Sequence, residues 1–148
     1  MKKVKLLFIA LLFTVAANAQ TITKEQANVQ QTIIQLFDAL SNRDSVSLKA
    51  HSTANITFYE YGQVWNMDTL ILKAIVKNKS TDFKRTNSFE FINTTVDKTI
   101  AWVTYRLQSA ITMDSKQLML QWLETIILVK AKKQWKVKHL HSTLIKRS

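Results

Sequence analysis

The chain has no cysteine, no proline and a single glycine among its 148 residues. Without cysteine there is no disulfide scaffold, iron–sulfur cluster, thiolate zinc site or cysteine nucleophile. One glycine, Gly62, is too few for the GxxxxGK[ST] phosphate loop or the dinucleotide fingerprint GxGxxG. Acids are scarce as well. Ten carboxylates face 21 lysines and arginines, giving a formal charge of +11, a balance that by itself suggests nucleic acid or an anionic membrane surface. Low hydrophobicity, which wholesale disorder requires, is also missing: 47% of the residues are hydrophobic.

The amino terminus redirects the charge argument. Lys2, Lys3 and Lys5 form a basic start, Leu6 to Ala16 is an apolar run, and Ala17-Asn18-Ala19 is a small-residue cleavage site. In this order the three parts predict a secretory signal peptide over residues 1–19. The run is shorter than the roughly 20 apolar residues of a membrane span. Removing 19 residues, three of them lysines, from 148 leaves 129 with a charge of +8. The expectation is a single domain over residues 20–148, exported to the periplasm or secreted, with no transmembrane segment after cleavage. Export argues against nucleic acid as a partner. A domain of this size can be held by its core alone.

Hydrophobic periodicity organises the mature chain. Thr23-Lys24-Glu25-Gln26 is a capping box, followed at helical spacing by Val29, Ile33, Leu36, Phe37 and Leu40. Ser41 to Asp44 breaks that helix, and a short second one is expected over about Ser45 to His51. Ile56 to Tyr61 is β-branched and aromatic and predicts a strand ending near Gly62. Asn66 or Asp68 can cap a third helix carrying Leu70, Ile71, Ala74 and Ile75. From Phe83 the period becomes two, with strands expected over Arg85–Val96, Thr99–Ile111, Leu118–Lys130 and Gln134–Ile145. Their short connections make them antiparallel neighbours. The fold class is α+β: a curved antiparallel sheet packed on three N-terminal helices, long enough to curl around a cavity.

Three segments carry a family resemblance. Ala39-Leu40-Ser41-Asn42-Arg43-Asp44 resembles an A-x-S-N-x-D turn, and Ala101 to Leu107 resembles an A-x-V-x-Y-R strand. Glu124-Thr125, followed by Trp135 to Ser142, resembles an E-T…W-x-x-x-H-x-H-x-S ending. In this order they resemble the cone-shaped NTF2-like superfamily. The ending resembles that of SnoaL-like domains and of the association domain of calcium/calmodulin-dependent kinase. The resemblance implies a cone cavity, no cofactor and pairing of two copies through the outer face of the sheet. It leaves function open, because relatives include isomerases, cyclases, dehydratases and binding or assembly domains. Where the kinase domain lines its pocket with several arginines, Arg106 alone keeps the charge at the matching positions.

The candidate chemistry is spread over the sheet. His139 and His141, two apart, are expected on the strand face of Trp135 and Val137, as a general base or as hydrogen-bonded structural histidines. No third ligand stands at a recognisable spacing, so no metal is expected. Arg106 suits a ligand carboxylate or an ion pair with Glu90 or Glu124. Glu124, among apolar neighbours, suits a base of raised pKa or a paired structural acid; Glu60 and Asp38 stand second. Tyr59, Trp65 and Trp102 are candidates for an aromatic wall around a ligand. Five lysines between Lys130 and Lys138 suit an acidic partner or a solvated hairpin that discourages edge pairing.

These readings converge on an exported domain that binds a small apolar or weakly acidic molecule without catalysis, as a homodimer. Two alternatives stand beside it: a cofactor-independent isomerase, dehydratase or cyclase using a glutamate or histidine base, and a homo-oligomeric assembly module.

Overall fold

A computed structural model describes residues 22–148; the expected signal peptide lies outside the described residues. Helix α1 (Lys24–Ser41) starts at the capping box: Thr23 Oγ1 accepts from the Gln26 amide at 3.2 Å, and Gln26 Oε1 accepts from the Thr23 amide at 2.8 Å. Its apolar stripe, Val29, Ile33, Leu36 and Phe37, is buried. Asp44 caps α2 (Ser45–Ala50) by accepting from the Val46 and Ser47 amides. Strand β1 (Ser52–Glu60) turns at Tyr61-Gly62 into a short strand, β2 (Gln63–Trp65). Both turn residues have positive φ, 50° and 71°, so the only glycine stands where a left-handed backbone is required. Sequence patterning did not resolve β2, since three residues are too few to show a period.

Asn66, not Asp68, caps α3 (Met67–Ile71) through a 2.8 Å bond from the Thr69 amide. The helix then widens into a π-helical turn over Leu72–Val76. Four long strands follow: β3 (Lys84–Asp97), β4 (Ile100–Met113), β5 (Lys116–Ala131) and β6 (Gln134–Arg147). The six strands form one curved, unclosed sheet in the order β2-β1-β6-β5-β4-β3. It is mixed. The four long strands form the expected antiparallel meander, but β1 runs parallel to β6, because the whole meander intervenes and returns the chain beside its first strand.

Helix α1 lies across the concave face. Gln26 Nε2 donates to the Thr94 carbonyl at 2.7 Å and Gln30 Nε2 to Thr94 Oγ1 at 2.9 Å, docking the helix on β3. The core fills the space between: Val29, Ile33, Leu48, Ile56, Val103, Tyr105, Leu107, Ile126, Leu128 and Val137 are almost wholly buried. At the opposite end the rim is tied by polar contacts. Arg43 donates to the Asn78 and Ser80 carbonyls and lies over the Phe83 ring. Asp82 accepts from Ser80 Oγ and from the Asp114 and Ser115 amides, fastening the β4–β5 turn.

Bulges decide which side chains enter the cone. Alternation places Trp135 and Val137 inside on β6, but Lys138 is an extra residue between the pairs Leu128↔Val137 and Ile127↔His139. Beyond it the faces exchange. Leu140 and Ser142 are buried, while His139 and His141 point outward. The expectation that both histidines share the face of Trp135 and Val137 is therefore corrected: a one-residue insertion shifts every later side chain to the other face. A bulge at Ile92 does the same on β3.

Candidate functional site

The concave face gathers Glu60 (β1), Arg85 and Asn87 (β3), Tyr105 and Ser109 (β4), Glu124 (β5) and Ser142 (β6). Cross-strand register aligns them: Glu124 pairs with both Ser142 and Tyr105, and Asn87 with Ser109. Glu124 is 2% exposed, and its Oε1 accepts from Ser142 Oγ at 2.8 Å. Its other oxygen and the Tyr105 hydroxyl are both buried without a hydrogen-bond partner. Burial pushes the Glu124 carboxyl above the usual carboxylate range. The Tyr105 and Ser142 hydroxyls and the Arg85 charge pull the other way. The Tyr105 hydroxyl is near enough to act on the carboxylate through its dipole while lying outside hydrogen-bond geometry. Burial, then the Glu124 charge, raises the Tyr105 phenol as well.

Glu60 is less enclosed. Burial and, after it, the neighbouring Glu124 charge push its carboxyl up to about 7, against the Ser142 hydroxyl and Arg85. It lines an inner cavity of about 30 Å³ whose other walls, Leu36, Phe37, Leu40, Leu48, Phe58, Leu70 and Leu140, are all apolar. That space is on the scale of a single water molecule. Leu40 also borders a larger cavity of about 360 Å³ at the cone's mouth, between the π-helical turn and the far ends of β3 to β6.

Arg85 lines this mouth cavity. Its guanidinium lies 5.6 Å from the Phe37 and Trp122 ring centroids. Nε donates to Asn87 Oδ1 at 2.9 Å, and Nη2 to Ser109 Oγ at 3.1 Å. Ser109 in turn donates to Asn87, and Asn87 to Ser41 on α1, so the arginine is held by a polar chain rooted in the first helix. Arg85 forms no ion pair with an acid among the described residues. Burial lowers its pKa, opposed by the Glu124 and Glu60 charges.

The predicted site residues divide between the two faces. Glu124 is inside. Arg106 and Trp102 are on the convex face, where Arg106 pairs with Glu90 at 3.0 Å and both partners remain exposed. Tyr59 is also outside, its ring edge-on to His139 at 4.6 Å and to His141 at 5.8 Å. His139 Nδ1 meets Thr57 Oγ1 at 2.7 Å, and burial, then His141, lowers the His139 pKa. Trp65 packs at the rim, under the Lys73 ammonium. The tyrosine–arginine pair of β4 and the H-x-H-x-S ending are thus each divided by the sheet: Tyr105 and Ser142 face in, Arg106 and the histidines face out. Arg85 escaped the sequence reading. Its signal was available, as a lone cation in the alternating series Phe83, Arg85, Asn87, Phe89, Phe91. Among the described residues no three histidines, aspartates or glutamates gather to hold a metal ion, and no helix is long and apolar enough to cross a membrane.

Solved structures share this architecture. A ketosteroid isomerase-like protein from Erwinia carotovora atroseptica superposes with a TM-score of 0.68 at 15% identity, covering 84% of this chain and 99% of that one. An NTF2-like protein from Cytophaga hutchinsonii gives 0.67 at 17% identity, covering 84% and 100%. A type 2 hexachlorocyclohexane dehydrochlorinase gives 0.69 at 8% identity, covering 84% and 87%. At such identities the likeness is one of fold. No curated protein matches the chain in sequence. Residues 29–145, from the second turn of α1 to near the end of β6, match the SnoaL-like domain, and the chain belongs to that family.

Proposed function

We propose that this chain is an exported small-molecule-binding domain whose apolar or weakly acidic ligand occupies the concave side of the cone. The observation that carries the reading is unpaired charge beside open space. Arg85, Glu60 and Glu124 share one interior, yet Arg85 makes no ion pair with either acid, and it borders a cavity of about 360 Å³. A core built only for stability pairs its buried ions, because an uncompensated one costs several kcal/mol. The volume falls within the roughly 300–1,000 Å³ of ordinary ligand sites. The amino-terminal signal pattern supports export, and the exposed apolar convex face supports a homodimer.

Native mass spectrometry of the protein recovered from its host's exported fraction tests this reading. A stoichiometric small-molecule adduct, released on denaturation, is the expected result. Repeated preparations without adduct would overturn tight binding.

One observation favours a second reading, a cofactor-independent proton-transfer enzyme. Glu60, with its pKa near 7 in an apolar pocket, has the property of a general base at neutral pH. Glu60 would take a proton from a substrate carbon and return it elsewhere, with Arg85 holding the developing oxyanion, once the substrate displaces Leu40, which borders both the water-sized space at Glu60 and the cavity at Arg85. Turnover of the recovered ligand by wild type, together with its intact retention by Glu60→Gln, would establish this reading over simple binding.

A further inference from the structure

The charges around the mouth cavity are all of one sign. Lys73 and Lys77 stand on the π-helical turn and just after it, Arg85 on β3 and Arg147 at the end of β6, and no carboxylate lines the same space. Between the cations the wall is aliphatic, with Ile111 and Leu118 opposite each other in register on β4 and β5. Arg85 is the least exposed of these cations and, among the described residues, the one whose donors are held by side-chain hydrogen bonds. Nε and one Nη2 hydrogen are committed to Asn87 and Ser109, so the Nη1 group has no partner among the described residues. A guanidinium carries five N–H donors, so both Nη1 hydrogens and the second Nη2 hydrogen remain. They form the fork that receives a carboxylate through two parallel bonds.

We propose that the mouth cavity binds an amphipathic monocarboxylate, one molecule per chain. Its head sits on the free edge of Arg85 and its hydrocarbon body lies along Ile111 and Leu118 toward the lysine rim. This deepens the small-molecule reading above and rests on it. An uncharged apolar ligand would leave the Arg85 fork unpaired on binding, and a cationic one would meet four like charges. A highly charged ligand would find no polar wall along the aliphatic strand ends. The lysines and Arg147 at the rim attract the anion, and the hydrogen-bonded guanidinium fixes its direction.

Isothermal titration calorimetry of the mature chain with decanoate, decanol and decyltrimethylammonium tests this, since the three share a chain and differ in head charge. Decanoate is expected to bind with one site per chain, at least tenfold more tightly than decanol, with no detectable binding of the ammonium. In Arg85→Gln the decanoate affinity is expected to fall to within about twofold of that of decanol measured on the same variant. Equal binding of decanoate and decanol by the wild type would overturn the carboxylate assignment and leave the cavity reading standing. Absence of binding by all three probes would overturn both. A tenfold preference retained in Arg85→Gln would remove Arg85 as the anchor. The wild-type series decides the ligand class whether or not that variant folds.

Discussion

Glu60 couples the interior to pH. Its carboxyl titrates at about 7 in the fold, against 4.5 when unperturbed. Between those values the folded chain keeps a proton that the unfolded chain has released. The stabilisation from Glu60 is therefore complete below about pH 4.5, declines as pH climbs, and is lost above about 7. Glu60→Gln removes this dependence. Thermal melts of wild type and variant from pH 5 to 8 should diverge, the wild type losing roughly 1–2 kcal/mol relative to the variant, since solvent contact screens part of the shift. Curves that stay parallel would contradict it. Lowered histidine pKa values at His51 and His139 act in the opposite direction, but they are common to both proteins and cancel in the difference. Ser142 supports the neighbouring acid. Ser142→Ala strips the sole hydrogen bond from a carboxyl whose second oxygen already lacks one, and should cost roughly 1–3 kcal/mol in urea unfolding. A loss under about 0.5 kcal/mol would show that the bond carries little. Glu124 was legible as a candidate because apolar residues flank it in sequence. Glu60 was legible only as a second-rank acid, and Arg85 and Tyr105 not at all, since these neighbours come from three other strands and meet only through register.

The strands show how much of an element is written locally. All four long strands were readable from alternation and from their polar connections, and the observed ends differ by at most two residues. The lysine hairpin was readable as a turn, but not its backbone: Lys132 and Lys133 both adopt positive φ, 48° and 68°, without a glycine between them. Left-handed backbone at side-chain-bearing residues costs of order 1 kcal/mol each. Replacing Lys132-Lys133 by Asn-Gly, the pair that prefers this turn, should raise the melting temperature by roughly 3–6 °C; an unchanged or lower value in differential scanning calorimetry would refute it. Lys130, in the same hairpin, is not free. It bridges to Glu25 at 3.0 Å, where the Trp135 indole also donates, so part of the basic cluster pins α1 to the sheet. The β6 bulge could have been suspected from spacing alone. Trp135, Val137 and Leu140 are apolar at intervals of two and then three, and only an extra residue at Lys138 buries all three.

At the scale of the molecule, the convex face has apolar and aromatic side chains in solvent: Tyr59 is 44% exposed, Trp102 40% and Leu123 40%. The homodimer proposed above buries this face, with Arg106 and Glu90 among the charged residues around it. Light scattering on the mature chain at micromolar concentration should give a dimer, and Trp102→Glu with Leu123→Glu should give a monomer whose concave cavity still binds its ligand. A wild-type monomer, or a variant that remains a dimer, would exclude this interface. The same experiment would separate the proposed assembly from the proposed binding, because each is assigned to a different face of the sheet.

Composition and periodicity alone determined that the described chain is α+β, where its first helix begins, which segments are long strands, and that thiol chemistry and glycine-loop phosphate motifs are absent. Those properties depend on residues a few positions apart, so a single sequence contains them. Tertiary structure decided which face each side chain occupies, and therefore which residues form a site. One bulge sent both histidines outward, β4 parity sent Arg106 to Glu90, and the sheet's curvature brought Arg85 and the two glutamates into one interior without an ion pair to neutralise them. Burial, which sets their titration, is a property of the curved sheet and the helix packed across it rather than of any segment in it.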